Sequence, residues 1–429
     1  MFEKIRLVFK DRDIRRKVLF ILGLLAVFRL AAVIPVPGVD SMRLKTFFEG
    51  NQFFGLLNVF SGGALDNLSV VMLGVGPYIT ASIIMQLMTM IFPSLKEMYQ
   101  EEGEAGRKKF NQYSRLLTLP LAILQGFGLL VLLERQSIIA DLSMWEQLLN
   151  VLVVTAGSIF LMWLGELISE YGIGNGISLL IFAGIVSAIP SGIQQTWFAI
   201  GQETFPYIQP NYILLVIAFL AAGVAVVAGV TVVTEGERPI PVSYAKRIRG
   251  MRVYGGVSTH LPLRVNQAGV IPIIFALSIL LFPQMIANVL AGADSQALRS
   301  ISQAVLNFLA SGWVYGIFYF VLVFLFTYFY TAVTFDPEQI SSNLQKQGAF
   351  VPGMRPGRPT AEFLQKIITR ITFFGALFLG LIAVLPLLMQ GLTGLQALTI
   401  GGTSLLIVVS VVLETIKQIE AQLVMREYD

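Results

Sequence analysis

The stretch VLFILGLLAVFRLAAVIPV, residues 18–36, carries a single charged side chain, Arg29. An α-helix needs about 20 predominantly apolar residues to cross the ~30 Å hydrocarbon core of a bilayer. We therefore predict that this stretch spans a membrane. The basic residues before it are also typical of a signal peptide, but the run ends in IPVPG and lacks a small-residue cleavage site, which favours a retained span.

Similar apolar runs recur along the whole chain of 429 residues, which is 55% hydrophobic and 13% charged. Soluble domains carry about 25% charged residues, so the composition favours an all-α polytopic membrane protein. With Pro, Gly and charge as boundaries, the predicted spans are 18–36, 72–91, 114–133, 151–169, 177–190, 212–233, 267–289, 313–335, 367–388 and 398–415.

The basic residues are distributed unevenly between the two sets of connections. One set consists of the two tails and the connections that follow the even-numbered spans, and it contains or borders 24 of the 30 Lys and Arg residues. The connections that follow the odd-numbered spans contain four. The positive-inside rule then predicts that both termini are cytoplasmic. The predicted divisions are a tail at 1–17, a half at 18–190, an external hinge loop at 191–211, a half at 212–415 and a tail at 416–429.

Ten spans also divide into two groups of five. Because five is odd, a second half built like the first would be inserted upside down, giving an inverted repeat. Inverted repeats are typical of proteins whose pathway lies between the two halves. The count therefore favours a transporter or a channel.

The two longest basic connections, about 234–266 and 336–366, are both predicted to be cytoplasmic. One interpretation is that their charge only satisfies the positive-inside rule. The other is that they form a docking platform for an anionic or acidic partner, such as ribosomal RNA or a motor protein. The residues alone leave both interpretations open.

Several classes of chemistry find no support in the sequence. The chain has no cysteine, a single histidine at His260, and no Walker, HExxH or GxSxG motif, so we predict no enzyme activity, no metal site and no cofactor. Few ionisable residues lie within the predicted spans, namely Arg29, Glu166 and Glu414. This disfavours an ion-coupled transporter of a small solute, which remains the alternative function, and a membrane-embedded enzyme is a weaker alternative.

The segment NVFSGGALDN, residues 58–67, is too apolar for an ordinary loop and too short to span a bilayer. Non-spanning backbone at membrane depth is tolerated only where protein or a water-filled cavity surrounds it. Gly62 and Gly63 each weaken a helix by about 1 kcal/mol relative to alanine. The segment is therefore predicted to be a weakly held re-entrant helix.

Five long motifs in this chain resemble those of one known family. They are LLNVFSGGALDNLSVVMLGVGPYITASIIMQLM at 56–88, GIGNGISLLIFAGIV at 172–186, STHLPLRVNQAGVIPIIFA at 258–276, GAFVPGMRPGRP at 348–359 and GGTSLLIVVSVVLE at 401–414. In sequence and order they resemble the SecY protein-conducting channels of bacteria, from end to end of the chain. The resemblance implies a channel in the bacterial cytoplasmic membrane that passes unfolded secretory polypeptides and releases hydrophobic segments sideways into lipid.

The resemblance also implies a plug and a pore ring. The plug, a short helix that closes the outer funnel, would cover about Leu57 to Asn67, including Leu57, Asn58, Phe60, Gly62, Gly63, Leu65 and Asn67. The pore ring, a constriction of branched apolar side chains, would consist of Val75, Ile79, Ile181, Ile185, Ile274 and Ile407. The first four form two i, i+4 pairs, each on one helical face.

The family's lateral gate lies between the second and third spans and the seventh and eighth. Small polar residues there would ease separation of the helices and bond across the seam, and we assign Ser82, Gln86 and Ser278 to this role. The family's partner-binding arginine in the PGxRPG motif corresponds to Arg355. The implied docking residues are Lys246, Arg247, Arg249, Arg252, Arg355 and Arg358.

The implied partners are the SecE and SecG subunits, the SecA motor ATPase, the ribosome with its RNA and proteins, signal peptides, nascent secretory or membrane proteins, and the lipid bilayer.

Overall fold

A computed structural model describes residues 11–36, 64–65, 68–135, 139, 143–202, 210–244, 247–249, 252–254, 258–290, 295–393 and 401–427. Within these ranges most of the backbone is helical. The helices, numbered in chain order, are α1 Arg12–Ala31, α2 Gly76–Ile91, α3 Pro93–Gln100, α4 Gly103–Arg135, α5 Met144–Tyr171, α6 Gly176–Gln202, α7 Pro210–Glu235, α8 Ile271–Leu290, α9 Gln296–Ala310, α10 Gly312–Thr334, α11 Pro337–Lys346, α12 Arg358–Thr393 and α13 Gly401–Glu427.

Ten of these helices coincide in order with the ten predicted spans, namely α1, α2, α4 to α8, α10, α12 and α13. Length and apolarity alone identify four described helices as able to cross a membrane (α4, α5, α10 and α12), or five if α2 and α3 count as one span bent by 116°. The other helices are shorter, or begin with a charged turn, or include side chains outside the described set. The ten-span count remains a prediction that the order of the helices fits.

Several helices extend beyond the apolar runs that predicted them. α4 begins eleven residues before the predicted span, at Gly103, and α13 continues through most of the predicted tail 416–429. α6 is helical to Gln202, so the first part of the predicted hinge loop 191–211 is helix. The reason is that a helix satisfies its own backbone in water as well as in lipid, so hydropathy does not mark where it ends.

Two of these extensions carry Lys–Glu ion pairs. Lys108 and Glu104 pair at 3.5 Å on α4, and Lys417 of α13 pairs with Glu235 of α7 at 2.8 Å. Both pairs lie at the polar ends of helices, where water screens them and each contributes little stability.

Two small sheets lie outside the helical bundle. The strands are β1 Glu237–Tyr244, β2 Arg247–Arg249, β3 Arg252–Tyr254, β4 Ser258–Arg264 and β5 Ala349–Phe350. One sheet has the order β4-β1-β5, with both pairings antiparallel, and β2 pairs with β3 in the other. Because β1 and β4 belong to one predicted basic connection and β5 to the other, the first sheet joins the two connections into one unit.

The bundle encloses one large cluster of buried apolar residues, to which α1, α2, α5, α6, α8, α10, α12 and α13 all contribute. A second, smaller cluster joins the segment before α2 to α4 and α5. A third lies beneath the sheet and includes Ile240, Leu263 and Leu364, so the sheet is fixed to the start of α12.

Candidate functional site

The six residues of the predicted pore ring come from four separate parts of the chain. Val75 immediately precedes α2 and Ile79 lies in its first turn, Ile181 and Ile185 lie on α6, Ile274 lies on α8, and Ile407 lies on α13. Each side chain is between 1 and 8% exposed. All six belong to the large buried cluster, so the fold collects them in one apolar region.

The start of α6 is fixed by the motif GIGNGIS. The Asn175 side chain accepts a hydrogen bond from the Ser178 N–H at 3.2 Å, which caps the helix. The Gly176 N–H donates to the Ser169 hydroxyl at 2.8 Å, and a Cβ on Gly176 would lie 1.9 Å from the Gly165 carbonyl oxygen. The third glycine of the motif is therefore required for α5 and α6 to approach, and this contact sets the position of Ile181.

The start of α8 is fixed by the motif NQAGVIP. Gly269 adopts a positive φ of 62°, and its carbonyl accepts a hydrogen bond from the Asn266 side chain at 3.2 Å. Gly375 of α12 packs so closely beneath this turn that a Cβ would lie 2.7 Å from the Val265 carbonyl oxygen. The turn holds the first residues of α8 against α12, and Ile274 lies one turn further along.

The predicted plug falls almost entirely outside the described residues. Leu57, Asn58, Phe60, Gly62, Gly63 and Asn67 all lie in that part of the chain, and Leu65 is the one named plug residue that the structure describes. Leu65 is completely buried, in the smaller cluster with Met72, Leu130 and Val154. The far end of the predicted plug is thus attached to α4 and α5.

The backbone of residues 34–36 pairs with the backbone of residues 68–70, on either side of segment 37–63. We call this pairing the plug base. The Val36 N–H donates to the Leu68 carbonyl at 2.8 Å, and the Val70 N–H donates to the Ile34 carbonyl at 2.9 Å. Between these bonds Pro35 and Ser69 form an antiparallel bridge. The two bonds satisfy backbone groups that neither α1 nor α2 can satisfy, as burial in a membrane protein requires.

Helix α5 holds the plug base at two adjacent residues. A Cβ on Gly157 would lie 2.0 Å from the Val70 carbonyl oxygen, so only glycine permits this approach. The buried Ser158 hydroxyl donates to the Gly74 carbonyl at 3.0 Å. The sequence analysis missed this contact, although the pair Gly-Ser inside an apolar helix is typical of close helix packing.

The residues assigned to the lateral gate lie on α2 and α8. A cavity of about 290 Å³ between these helices is lined by Thr80, Ile83, Ile84, Leu87, Ser278, Ile279 and Pro283. Ser278 is therefore one of the residues that line this cavity, and its role in a gate stays a prediction. The Gln86 side chain donates to the Ser82 hydroxyl at 3.3 Å within α2, so these two residues are bonded to each other and neither is among the residues that line this cavity.

The motif PGMRPGR, which contains two of the predicted docking residues, forms a tight exposed turn that leads into α12. Gly353 and Gly357 adopt positive φ values of 83° and 101°. The Thr360 hydroxyl donates to the Arg355 carbonyl at 2.9 Å, and the Arg355 side chain is exposed. The Arg358 side chain is exposed and pairs with Glu362 at 3.3 Å.

The other predicted docking residues lie in or beside the hairpin that β2 and β3 form. Arg249 of β2 pairs with Arg252 of β3 in the antiparallel register, and Arg247 begins β2. Lys246 lies outside the described residues.

Glu166, one of the ionisable residues in the predicted spans, has a partner that the sequence analysis did not identify. Its carboxylate pairs with the Arg115 guanidinium near the start of the predicted third span. This ion pair joins α4 to α5 and explains why a carboxylate is tolerated there.

Comparisons with known proteins agree with this geometry. A family model described as SecY matches residues 69–416. Curated relatives include the protein translocase subunit SecY of Corynebacterium glutamicum, which is 42% identical with 98% of each chain covered. The same subunit of Halalkalibacterium halodurans is 44% identical, over 100% of this chain and 99% of that one. The chain belongs to the SecY family.

Solved structures share the SecY fold. One, of a SecY protein whose plug domain stabilises the closed state of the translocation channel and maintains a membrane seal, has a TM-score of 0.65 at 20% identity and covers 94% of this chain and 91% of that chain. Sec61 in the canine ribosome–channel complex has a TM-score of 0.61 at 19% identity, with the same coverage. Family and fold confirm the predicted multi-pass helical protein-translocation channel, and nothing in them favours the solute transporter.

The close approach at Gly157 generates a stability prediction. In Gly157→Ala the new methyl group must displace the Val70 backbone, and overpacking of this kind costs about 1–3 kcal/mol. We expect a lower midpoint temperature for unfolding of the purified protein in detergent.

The matched control is Gly23→Ala in α1, where a Cβ would meet nothing within 4 Å. Replacing a helical glycine by alanine where the new methyl group meets no other atom is expected to stabilise the folded protein by about 0.5–1 kcal/mol. Equal midpoint temperatures for the two variants would contradict the assigned contact between α5 and the plug base.

Proposed function

We propose that this chain forms a passive, gated pore for unfolded polypeptides in a bacterial cytoplasmic membrane, with Val75, Ile79, Ile181, Ile185, Ile274 and Ile407 as its constriction. The observation that carries the proposal is that these six side chains, which come from the start of α2 and from α6, α8 and α13, are all buried in one apolar cluster. Residues merely facing lipid would be exposed at the surface of the bundle, as Val224 and Leu381 are.

The chemistry of the ring suits a seal that can open. Branched apolar side chains converging on a narrow path exclude water, and a dewetted constriction blocks ions. The side chains carry no fixed hydrogen bonds, so they adjust to a chain of varying sequence without leaving polar partners unsatisfied. No reaction occurs at such a site, so the protein acts as a channel and not as an enzyme, and the driving force comes from a partner.

The plug, assigned to Leu57–Asn67, would add a second seal on the outer side of the ring. The plug base supports this assignment, because a displaceable segment needs a fixed attachment at both ends. Val36 and Leu68 supply this attachment through their mutual backbone bond, and Ser158 holds the chain that follows. Displacement would then be confined to the part of the plug up to residue 63 and would leave α2 in place.

The seam between α2 and α8 would be the lateral exit to lipid. Its cavity is lined almost entirely by apolar side chains, with Ser278 and Thr80 as the polar exceptions. An unfilled apolar space between two helices weakens their packing, since the atoms on either side lose dispersion contacts. A hydrophobic segment of a passing chain could occupy this space and separate the helices.

The two basic connections would face the cytoplasm together with both termini. Because β1 pairs with both β4 and β5, the sheet links the connection that carries the hairpin arginines to the connection that carries the Arg355 turn. Sec61, which shares the fold, is found in a ribosome–channel complex, and this supports the ribosome as a partner. The SecA motor ATPase and the small SecE and SecG subunits are proposed from the resemblance to the SecY family.

Deletion of residues 57–67 tests the channel and its plug together. We expect proteoliposomes carrying the deletion to retain ATP-driven uptake of a secretory protein, because the ring remains and the plug base can close through Val36 and Leu68. We also expect a higher ion conductance in planar bilayers without substrate, because one of the two seals is lost. The intact chain serves as the control.

Unchanged resting conductance in the deletion variant would refute the plug assignment alone. Failure of the intact chain to import any polypeptide with its motor and subunits present, combined with gradient-driven uptake of a small solute, would refute the channel.

Arg355→Glu tests the docking surface. Reversing this exposed charge places a carboxylate against a partner that recognises positive charge, so we expect motor-driven translocation to fall at least tenfold with unchanged membrane insertion of the channel. The control is Lys108→Glu, the same charge reversal at an exposed basic residue of α4 that lies outside the predicted docking set. Normal ATP-dependent transport by Arg355→Glu would remove Arg355 from the docking surface.

A further inference from the structure

Helix α9, between the seventh and eighth predicted spans, is too short to cross a membrane and too apolar for an exposed loop. Its 15 residues cover about 22 Å, less than the ~30 Å of a hydrocarbon core. It follows the end of α8, whereas β4 precedes the start of α8, so α9 and the sheet lie at opposite ends of that helix.

The residues of α9 divide into three faces at the helical spacing of 100° per residue. One face is buried or half-buried, and its members are Ser302, Leu306 and Leu309, with the half-buried Val305 beside the apolar face. A second face is polar and exposed, and its members are Gln296, Arg299, Ser300, Gln303 and Asn307. The third face is apolar and exposed, and its members are Ala297, Leu298, Ile301, Ala304 and Phe308.

The protein-facing side of α9 is firmly attached. The buried Ser302 hydroxyl donates to the Ala287 carbonyl at 2.6 Å. Ala287 lies in the last turn of α8, where carbonyls lack a partner within the helix. Leu309 packs against the large buried cluster. These contacts fix the rotation of α9, so the exposure of its apolar face is set by the fold.

The apolar face continues onto the lipid-facing surface of the next helix. Trp313, Ile317, Val321 and Leu325 form a stripe with i, i+4 spacing along α10, exposed by 75, 64, 42 and 56%. The Phe308 ring of α9 meets the Phe318 ring of α10 edge to face, with centroids 6.5 Å apart. Trp313 lies one residue beyond the start of α10, the depth at which tryptophan marks the boundary between membrane and water.

We propose that α9 is a membrane-surface helix that lies in the boundary between headgroups and acyl chains of the leaflet opposite the sheet. Lipid covers the exposed apolar face: Leu298, Ile301 and Phe308 enter the acyl region, while Gln303 and Asn307 remain in water. An amphipathic helix in this position buries its apolar face about 5–10 Å into the boundary. Because α9 is bonded to the last turn of α8, it holds that end of the proposed gate helix at the membrane surface.

Spin labels test this depth directly, since the chain has no native cysteine. Single cysteines at Ile301 and Phe308 are labelled in the full chain with its co-purified subunits, reconstituted in phosphatidylethanolamine and phosphatidylglycerol vesicles. Gln303 and Asn307 provide the matched polar-face controls, and Leu325 provides the lipid reference. Accessibility to molecular oxygen, which enters lipid, is compared with accessibility to a nickel chelate, which stays in water.

We expect the ratio of oxygen to nickel accessibility at Ile301 and Phe308 to be several-fold higher than at Gln303 and Asn307 and close to that at Leu325. Equal ratios on both faces would mean that the helix lies in water and would overturn the proposal. Labels at Ile301 and Phe308 that neither reagent reaches would mean that a second copy or a partner subunit covers the face, which also overturns it. Labels at Leu298 and Ala304 repeat the comparison if a cysteine at Phe308 prevents folding.

Discussion

The structure depends on one constraint: backbone N–H and C=O groups inside a bilayer must find partners within the protein. The long helices meet this constraint by themselves. The demanding places are those where a helix ends against neighbouring helices, and each has a specific local solution. Between α1 and α2 the backbone of Ile34 and Val36 pairs with that of Leu68 and Val70. Between α5 and α6 the Ser169 hydroxyl accepts the Gly176 N–H.

These solutions need close approach, which explains the positions of particular glycines. Gly157, Gly176 and Gly375 each face a backbone carbonyl at a distance that no Cβ could share. In every case the contact holds the start of a helix that carries a proposed ring residue, or the segment just before one, against a neighbouring helix. The proposed apolar ring is therefore positioned by backbone contacts at its edges, while its own side chains carry no fixed hydrogen bonds. This separation lets a constriction deform without loss of the surrounding fold.

The order of the helices could be predicted from the sequence, because long hydrophobic runs have few alternatives in a membrane. The same hydropathy failed at helix ends: α6 continues to Gln202, past the predicted end at 190, since water does not terminate a helix. The six ring residues were selected by resemblance, because an isoleucine in the ring has the same local sequence character as one facing lipid.

Features made by distant contacts were not predictable. No local pattern indicates that β5 pairs with β1 more than a hundred residues away, or that Ser158 bonds to Gly74. The proposed gate residues Ser82 and Gln86 illustrate the same limit, since their helical spacing permits a bond within α2 as readily as one across the seam. Helix α9 was missed because its apolar residues are interrupted by polar ones and do not form a run.

The most direct measurement of the central claim is disulfide cross-linking of a stalled polypeptide to the ring. Single cysteines at Ile79, Ile181, Ile274 and Ile407 are oxidised against one cysteine in a secretory chain halted during transit, with Val224 and Leu381 as lipid-facing controls. The account predicts cross-links from all four ring positions and from neither control. A chain verified as halted in transit that cross-links to no ring position would contradict it, because the pathway would then lie elsewhere in the molecule.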